Sequence, residues 1–278
     1  EGGNSHTALY YLTGEFPFRV SLDKDKWREE FKSGDLWRRM KAWLNDQGYL
    51  CAGSNPGSDS NINSLGIVQG HAYTIMGLYE INNTQLVKMR NTWGDTEWKG
   101  EWSDNDPRWT PELRRRLGVE NKDDGIFFIP FRIVPTQFDT IYVLIRTRRL
   151  HRYVLETVFR PGEIDGAKPN DRAELLTQWR FIFTQPTKKY VLYEKNSCSS
   201  VHQVQMKKTS EKFKNHYVGD TVLHEGVVVN SEVSSWIWDI NKIDEPWFFL
   251  PYREAARDVV NVCIQVFTDY PVQCERFD

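Results

Sequence analysis

Gln69-Gly70-His71-Ala72-Tyr73 opens the stretch on which the reading of this chain turns. It runs through an apolar segment to Arg90-Asn91-Thr92-Trp93-Gly94-Asp95-Thr96-Glu97-Trp98 and closes on Gly100-Glu101-Trp102-Ser103-Asp104. Ala72 to Ile81 has the composition of a buried strand, Asn82-Asn83 is a turn signal, and Leu86 to Arg90 reads as the returning strand. Asn82-Asn83-Thr84 also matches a glycosylation acceptor, but nothing else suggests secretion and the turn reading takes precedence. His71 begins one arm and Asn91 ends the other, with residue 81 midway between them. Residues symmetric about a hairpin turn face each other with Cβ atoms about 4.5–5.5 Å apart. The hairpin therefore predicts that His71 and Asn91 face each other. An imidazole so placed can take a proton from a thiol, and an asparagine oxygen can fix the ring's tautomer and orientation. Taken alone, the pair better describes a structural histidine held by a hydrogen bond than a catalytic one.

Upstream, Trp27, Phe31, Leu36, Trp37, Met40, Trp43 and Leu44 recur at steps of three and four between Asp23 and Asn45. This predicts helices with an aromatic core face, split at Ser33-Gly34, with Ser33 or Asp35 capping the second. Residues 1–22 carry only turn signals, at Gly2-Gly3 and Thr13-Gly14. Gly48 to Cys51 reads as a short strand. The Gly-, Ser- and Asn-rich run from Gly53 to Ser64 reads as a loop, either gating a site or idle at the surface.

Downstream, Thr110-Pro111-Glu112 starts a short helix that stops at Gly118. Its Arg114-Arg115-Arg116 run reads as a solvated face, as does the Arg146-Arg148-Arg149 linker. Asp123-Asp124-Gly125 turns into the apolar run Ile126 to Ile129, and a second such run spans Ile141 to Ile145. Beyond about His151 helical spacing fades. Short β-rich runs take over at Tyr153–Leu155, Trp179–Phe183, Tyr190–Tyr193, Val227–Val229, Trp236–Trp238, Trp247–Leu250 and Val260–Phe267. That is the pattern of an antiparallel sandwich. The fold class is thus α+β followed by all-β, with a boundary near 145–152.

Composition narrows the function. A net charge of -2 argues against sequence-independent nucleic-acid binding, which needs a basic face. No apolar run reaches the roughly 18–20 residues that span a bilayer, so no transmembrane segment is expected. No signal peptide is read at the start. Cys51, Cys198, Cys263 and Cys274 are sparse and form no CxxC pair, which suits reduced thiols in an intracellular protein. The opening at Glu1 rather than Met reads as a fragment or a processed piece.

Gly70-His71-Ala72-Tyr73, Arg90-Asn91-Thr92-Trp93-Gly94, Glu97-Trp98-Lys99-Gly100, Trp102-Ser103-Asp104 and Asp123-Asp124-Gly125 resemble, in order, the second lobe of calpain cysteine proteases. Gly2-Gly3-Asn4, Leu12-Thr13-Gly14 and Gly48-Tyr49-Leu50-Cys51 extend the resemblance over about residues 1–145. Thr92 departs from the family's usual proline. Phe183-Thr184-Gln185-Pro186-Thr187 and Leu250-Pro251-Tyr252 resemble, more loosely, parts of the calpain β-sandwich.

The resemblance implies a papain-like second protease lobe with an antiparallel sheet at 1–148 and a calpain-type β-sandwich at 149–278. It makes His71 the general base, Asn91 its orienter and Trp93 the ring packed over the pair. It implies a calcium site at Glu97, Asp104 and Asp124, with the Lys122 carbonyl as a fourth donor, although Ile126 stands where the family has a further acid. The family's nucleophile and its oxyanion-hole glutamine belong to a first lobe, and neither is here. Cys51 aligns with a non-catalytic position. The expectation is a calcium-regulated, intracellular endopeptidase, cytoplasmic or cytoskeleton-associated, making limited cuts in protein substrates. This chain alone would be inactive. The alternative is a catalytically inactive calpain-like scaffold or subunit of a larger assembly.

Overall fold

A computed structural model describes residues 5–159, 178–195, 202–208, 222–228, 233–240, 247–253 and 259–277. Gly2-Gly3, Asn4, Cys198 and Val229, singled out above, lie outside them. The chain divides into two compact units, Glu1–Arg146 and Thr147–Asp278. Helices and antiparallel sheet make up the first, and antiparallel sheets the second. No helix among the described residues is long and apolar enough to cross a membrane.

The first unit contains α1 (Ser5–Thr13), β1 (Phe16–Ser21), α2 (Asp25–Ser33), α3 (Asp35–Asn45), β2 (Tyr49–Ser54), β3 (Ala72–Ile81), β4 (Thr84–Asn91), α4 (Pro111–Leu117), β5 (Ile126–Pro130), α5 (Val134–Gln137) and β6 (Phe138–Ile145). The six strands form one antiparallel sheet in the order β1-β6-β2-β3-β4-β5. Its core is dense with large apolar groups. Phe16, Leu50, Tyr73, Leu86, Met89, Phe127, Phe128, Phe138 and Ile141 are all buried. Each such burial stabilises the fold by about 1.5–3 kcal/mol before entropy is counted. A satellite cluster of Trp102, Trp109 and Val119 packs on Ile81, Leu86 and Phe128, anchoring the long β4–β5 connection to the sheet.

The aromatic stripe on α2 and α3 packs as its spacing predicts. Leu36, Trp37 and Met40 are buried, and Phe31 and Trp37 pack on Phe131 at 4.8 and 5.0 Å. The expected cap is corrected: Gly34, in a left-handed conformation, both ends α2 and starts α3, without a side-chain cap bond. The Ser33 hydroxyl accepts from the Asp35 N–H at 3.3 Å but sits one position before the cap. Helix α1 was invisible in the sequence because it carries no fully buried residue and hence no apolar stripe. It docks by stacking His6 on Tyr142, 5.3 Å between ring centres.

Thr110 caps α4 by accepting from the Leu113 N–H, and left-handed Gly118 ends it, as the local sequence dictates. The Arg114–Arg116 reading changes at one residue. Arg114 donates to the Asp104 carbonyl at 2.6 Å, so this side chain ties the helix to the preceding loop.

The β3–β4 hairpin is where the expected geometry is corrected most usefully. Asn82 and Asn83 both adopt positive φ, the signature of a two-residue hairpin turn. Ile81 therefore pairs with Thr84, and the symmetry axis lies between residues 82 and 83 rather than at 81. The register then shifts at Met76, between the Ile75–Met89 and Gly77–Lys88 pairs, so that Asn91 comes opposite Tyr73. His71 lies just outside the strand.

The second unit contains β7 (His151–Phe159), β8 (Gln178–Ile182), β9 (Thr187–Lys195), β10 (His202–Lys208), β11 (Val222–Val228), β12 (Val233–Ile240), β13 (Trp247–Arg253), β14 (Val260–Thr268) and β15 (Gln273–Phe277). They form two antiparallel sheets, β11-β10-β13-β8-β15 and β12-β9-β14-β7. Tyr153 of one sheet meets Phe181 of the other edge-on at 5.9 Å, and its hydroxyl accepts from the Val272 N–H at 2.7 Å. Every β-rich run read from the sequence overlaps one of these strands. β10 and β15 have polar sequences, HQVQMKK and QCERF, that carry little apolar signal and so do not stand out as strands in the sequence.

Candidate active site

His71 is held by its backbone before its side chain does anything. Its N–H donates to Ser54 Oγ at 2.9 Å. The Ser54 hydroxyl and N–H both donate back to the His71 carbonyl, at 3.1 and 2.9 Å. Ser54 is the last residue of β2, so the clamp fixes His71 to the sheet edge one step before β3 begins. The preceding residue, Gly70, has φ +59°, and a Cβ there would stand 2.3 Å from the Gly57 carbonyl oxygen. Only glycine fits this approach to the residue 55–69 loop. Beneath the ring, buried Tyr73 meets His71 edge-on at 5.2 Å, and its hydroxyl accepts from the Val68 N–H at 2.9 Å. Burial pushes that phenol up to about 12.

Asn91 is fully buried, and His71 Nε2 lies 2.8 Å from its Oδ1. The amide's orientation follows from its other partners. Its Nδ2 donates to the Thr96 carbonyl at 3.1 Å, and its Oδ1 accepts from the Trp93 N–H at 3.1 Å. Since Oδ1 can only accept, Nε2 carries the proton in this contact. In the neutral ring, Nδ1 then holds the basic lone pair.

The backbone around Asn91 is strained toward this end. Thr96, a β-branched residue, sits at φ +61° and so aims its carbonyl at the amide. Asp123 holds it there, Oδ1 accepting from the Thr96 N–H at 2.9 Å. The Asn91 N–H donates to the Gly125 carbonyl at 2.8 Å, tying the pair to the turn before β5. Trp93 lies over His71 with ring centres 4.6 Å apart and is about half exposed. The structure thus brings together three of the residues singled out in the sequence, His71, Asn91 and Trp93. It adds Ser54 and Thr96, which no sequence argument assigned to the site because the Ser54 contact is long-range and the Thr96 contact depends on backbone strain, and Tyr73, which the motif contains but to which no role was given.

Cys51 has no part in this cluster. It pairs with Thr74 and Tyr142, whereas its neighbour Ala52 pairs with Tyr73. Alternation along the strand puts Cys51 on the sheet face opposite Tyr73. Burial raises its thiol, the wrong direction for a nucleophile.

The acidic loop forms a second cluster. A cavity of about 520 Å³ opens among Glu97, Asp104, Asn105, Asn121, Lys122 and Asp123. Glu97 Oε1 accepts from the N–H groups of Asp124 and Gly125, both at 2.8 Å. Burial and the charges of Asp104 and Asp123 nevertheless push Glu97 up to about 7. Burial and the Asp124 charge push Asp104 up to about 6, against the Lys122 N–H and Arg114. Asp124 itself turns to its own loop, Oδ1 accepting from the Ile126 N–H at 3.0 Å. Among the described residues no group of three or more His, Cys, Asp or Glu is drawn together tightly enough to hold a metal ion.

Hairpin, sheet edge and buried amide define a mixed helix and antiparallel-sheet protein with a histidine hydrogen-bonded to a buried asparagine. The chain belongs to the calpain family of cysteine proteases, whose family profile matches residues 1–144. It is 35% identical over 170 residues to the calpain-type cysteine protease DEK1 of Arabidopsis thaliana, covering 60% of this chain and 8% of that protein. It is 41% identical over 86 residues to calpain-9 of Rattus norvegicus (28% and 12%) and 28% identical over 149 residues to calpain-7 of Homo sapiens (51% and 18%). The chain thus spans less than a fifth of the length of each of these relatives. Among solved structures, the clostridial cysteine protease Cwp84 aligns over 91% of this chain and 55% of its own, at 10% identity and a TM-score of 0.23.

Proposed function

We propose that this chain supplies the His/Asn half of the Cys-His-Asn triad of a calpain-like, intracellular cysteine endopeptidase. Residues 1–148 are read as the second protease lobe and 149–278 as a β-sandwich, with a first lobe contributing the thiol. The observation that carries this reading is the 2.8 Å contact between His71 Nε2 and Asn91 Oδ1, in an amide whose orientation two backbone groups fix. His71 Nδ1 takes the thiol proton, and the resulting thiolate attacks the scissile carbonyl. The imidazolium, its Nε2–H still bonded to Asn91, returns that proton to the leaving amine. Nδ1 then activates the water that hydrolyses the acyl-enzyme. Trp93 packs against the His71 ring and would limit its movement.

Calcium is part of the same proposal. The donors are hard oxygens, as calcium requires. Raised carboxylates at Glu97 and Asp104 mark a place that resists two negative charges and would favour a cation. Glu97, Asp104 and Asp124 would hold the ion, with the Lys122 carbonyl as a fourth donor. It would supply the positive charge that lets both acids ionise and draws the carboxylates closer than they stand here.

The test is peptide hydrolysis by the full-length protein. His71→Ala is expected to lower kcat by at least about 10²-fold, the lower end for a general base. Activity unchanged by that substitution would sink the catalytic reading. No calcium-stimulated hydrolysis together with no effect of His71→Ala would favour the alternative, a calpain-like scaffold or interaction subunit.

A further inference from the structure

Thr92 Oγ1 lies 3.3 Å from His71 Nε2 and 3.4 Å from the Ala72 carbonyl oxygen. The orientation of the Asn91 amide places the proton on Nε2, so toward His71 this hydroxyl accepts. Its own proton then has the Ala72 carbonyl as acceptor. Donors and acceptors are matched: Nε2–H serves Asn91 Oδ1 at 2.8 Å and Thr92 Oγ1 at 3.3 Å, and Thr92 O–H serves Ala72. Such a shared N–H, with one short and one long arm, is an ordinary three-centre arrangement. Thr92 is β-branched, so few side-chain rotamers are open to it and its hydroxyl has few other places to go.

We propose that Thr92 is a positioning residue for His71, acting as the second acceptor on Nε2–H and linking the imidazole to the Ala72 backbone. This rests on the reading of His71 and Asn91 as base and orienter. Both acceptors engage the same ring nitrogen. Asn91 is buried, whereas Thr92 is exposed. The hydroxyl limits rotation of the ring about its Cβ–Cγ bond, which would otherwise carry Nδ1 away from an incoming thiol.

The experiment is NMR of the whole chain labelled with ¹⁵N-histidine, the His71 signals being assigned by their loss in His71→Gln. Thr92→Val keeps the side-chain shape and removes the hydroxyl; Thr92→Ser keeps the hydroxyl and removes the methyl. Thr92→Val is expected to move the Nε2–H proton upfield and speed its exchange with water about 2- to 10-fold, the equivalent of one net hydrogen bond. Thr92→Ser is expected to restore the original signal. A Thr92→Val spectrum identical to that of the unaltered chain would overturn the proposal. So would a Thr92→Ser spectrum matching that of Thr92→Val, since the effect would then belong to the methyl group. Asn91→Ala tests the underlying pair separately. An unmoved His71 signal there would overturn the base-and-orienter reading, whatever the Thr92 variants do.

Discussion

The His71 imidazole meets the Asn91 amide at 2.8 Å although the strand register pairs Asn91 with Tyr73. The contact is diagonal, from a residue just outside β3 to the last residue of β4. Diagonal neighbours in a sheet are about 7–8 Å apart at the backbone, within reach of a long side chain. The approach therefore depends on what fixes His71 before the strand begins.

Ser54 does much of that fixing. Ser54→Ala removes a buried hydroxyl that both accepts from and donates to His71, and leaves the His71 N–H without its partner. The expected cost is about 1–3 kcal/mol of unfolding free energy. Urea titration measures it, and a loss below about 0.5 kcal/mol, under the usual net value of a hydrogen bond, would contradict the clamp.

Gly70 and Gly94 offer a paired test of what fixes the loop. Both have positive φ, +59° and +84°. A Cβ at Gly70 collides with the Gly57 carbonyl oxygen at 2.3 Å, whereas one at Gly94 finds nothing within 4 Å. Gly94→Ala is expected to cost about 1 kcal/mol of backbone strain, and Gly70→Ala distinctly more, because loop backbone has to move as well. Equal thermal shifts for the two variants would show that the loop gives way freely.

His6 predicts an acid-side loss of stability. Burial, and secondarily Arg19, lower its pKa from 6.5 to about 4. The fold favours neutral His6, so its contribution is fully present above pH 6.5 and is lost as pH falls toward 4. His6→Gln is expected to flatten the decline between those values. The check is chemical denaturation across the range, and an unchanged slope in the variant counts against the docking of α1 through His6.

Glu97 and Asp104 carry the opposite sign. Their pKa values are raised, from 4.5 to about 7 and from 3.8 to about 6. In chelator-treated protein their contribution is present below about pH 4 and is lost as pH rises through 6 to 7. Calcium added above pH 7 is expected to raise the melting temperature, and Glu97→Gln to remove both that gain and much of the slope. Calorimetry with and without calcium decides it. No calcium-dependent shift in the unaltered chain would remove calcium from the proposed function.

Local sequence codes located several elements well. Thr110-Pro111 and Gly118 bound α4 because capping and left-handed φ are properties of single residues. Asn82-Asn83 marked the hairpin for the same reason. Helix α1 and strand β10 escaped because neither carries a periodic apolar signal. The register differs from the symmetric expectation because a two-residue turn puts the axis beyond residue 81 and a shift at Met76 moves the pairing again. A bulge depends on how two strands fit together, and no residue type announces it.

By itself, then, the sequence determined which residues are available: a histidine and an asparagine at the ends of one hairpin, with a tryptophan and an acidic loop beyond them. These follow from composition, turn chemistry and order along the chain. Only the tertiary structure decided how they meet. The Ser54 clamp comes from a different strand, the Thr96 carbonyl from a strained turn, and the opposite-face position of Cys51 from the pairing of three strands. The proton on Nε2 follows from backbone groups at residues 93 and 96. Hydrogen bonds act over about 3 Å, and which groups come that close is settled by packing across the whole sheet.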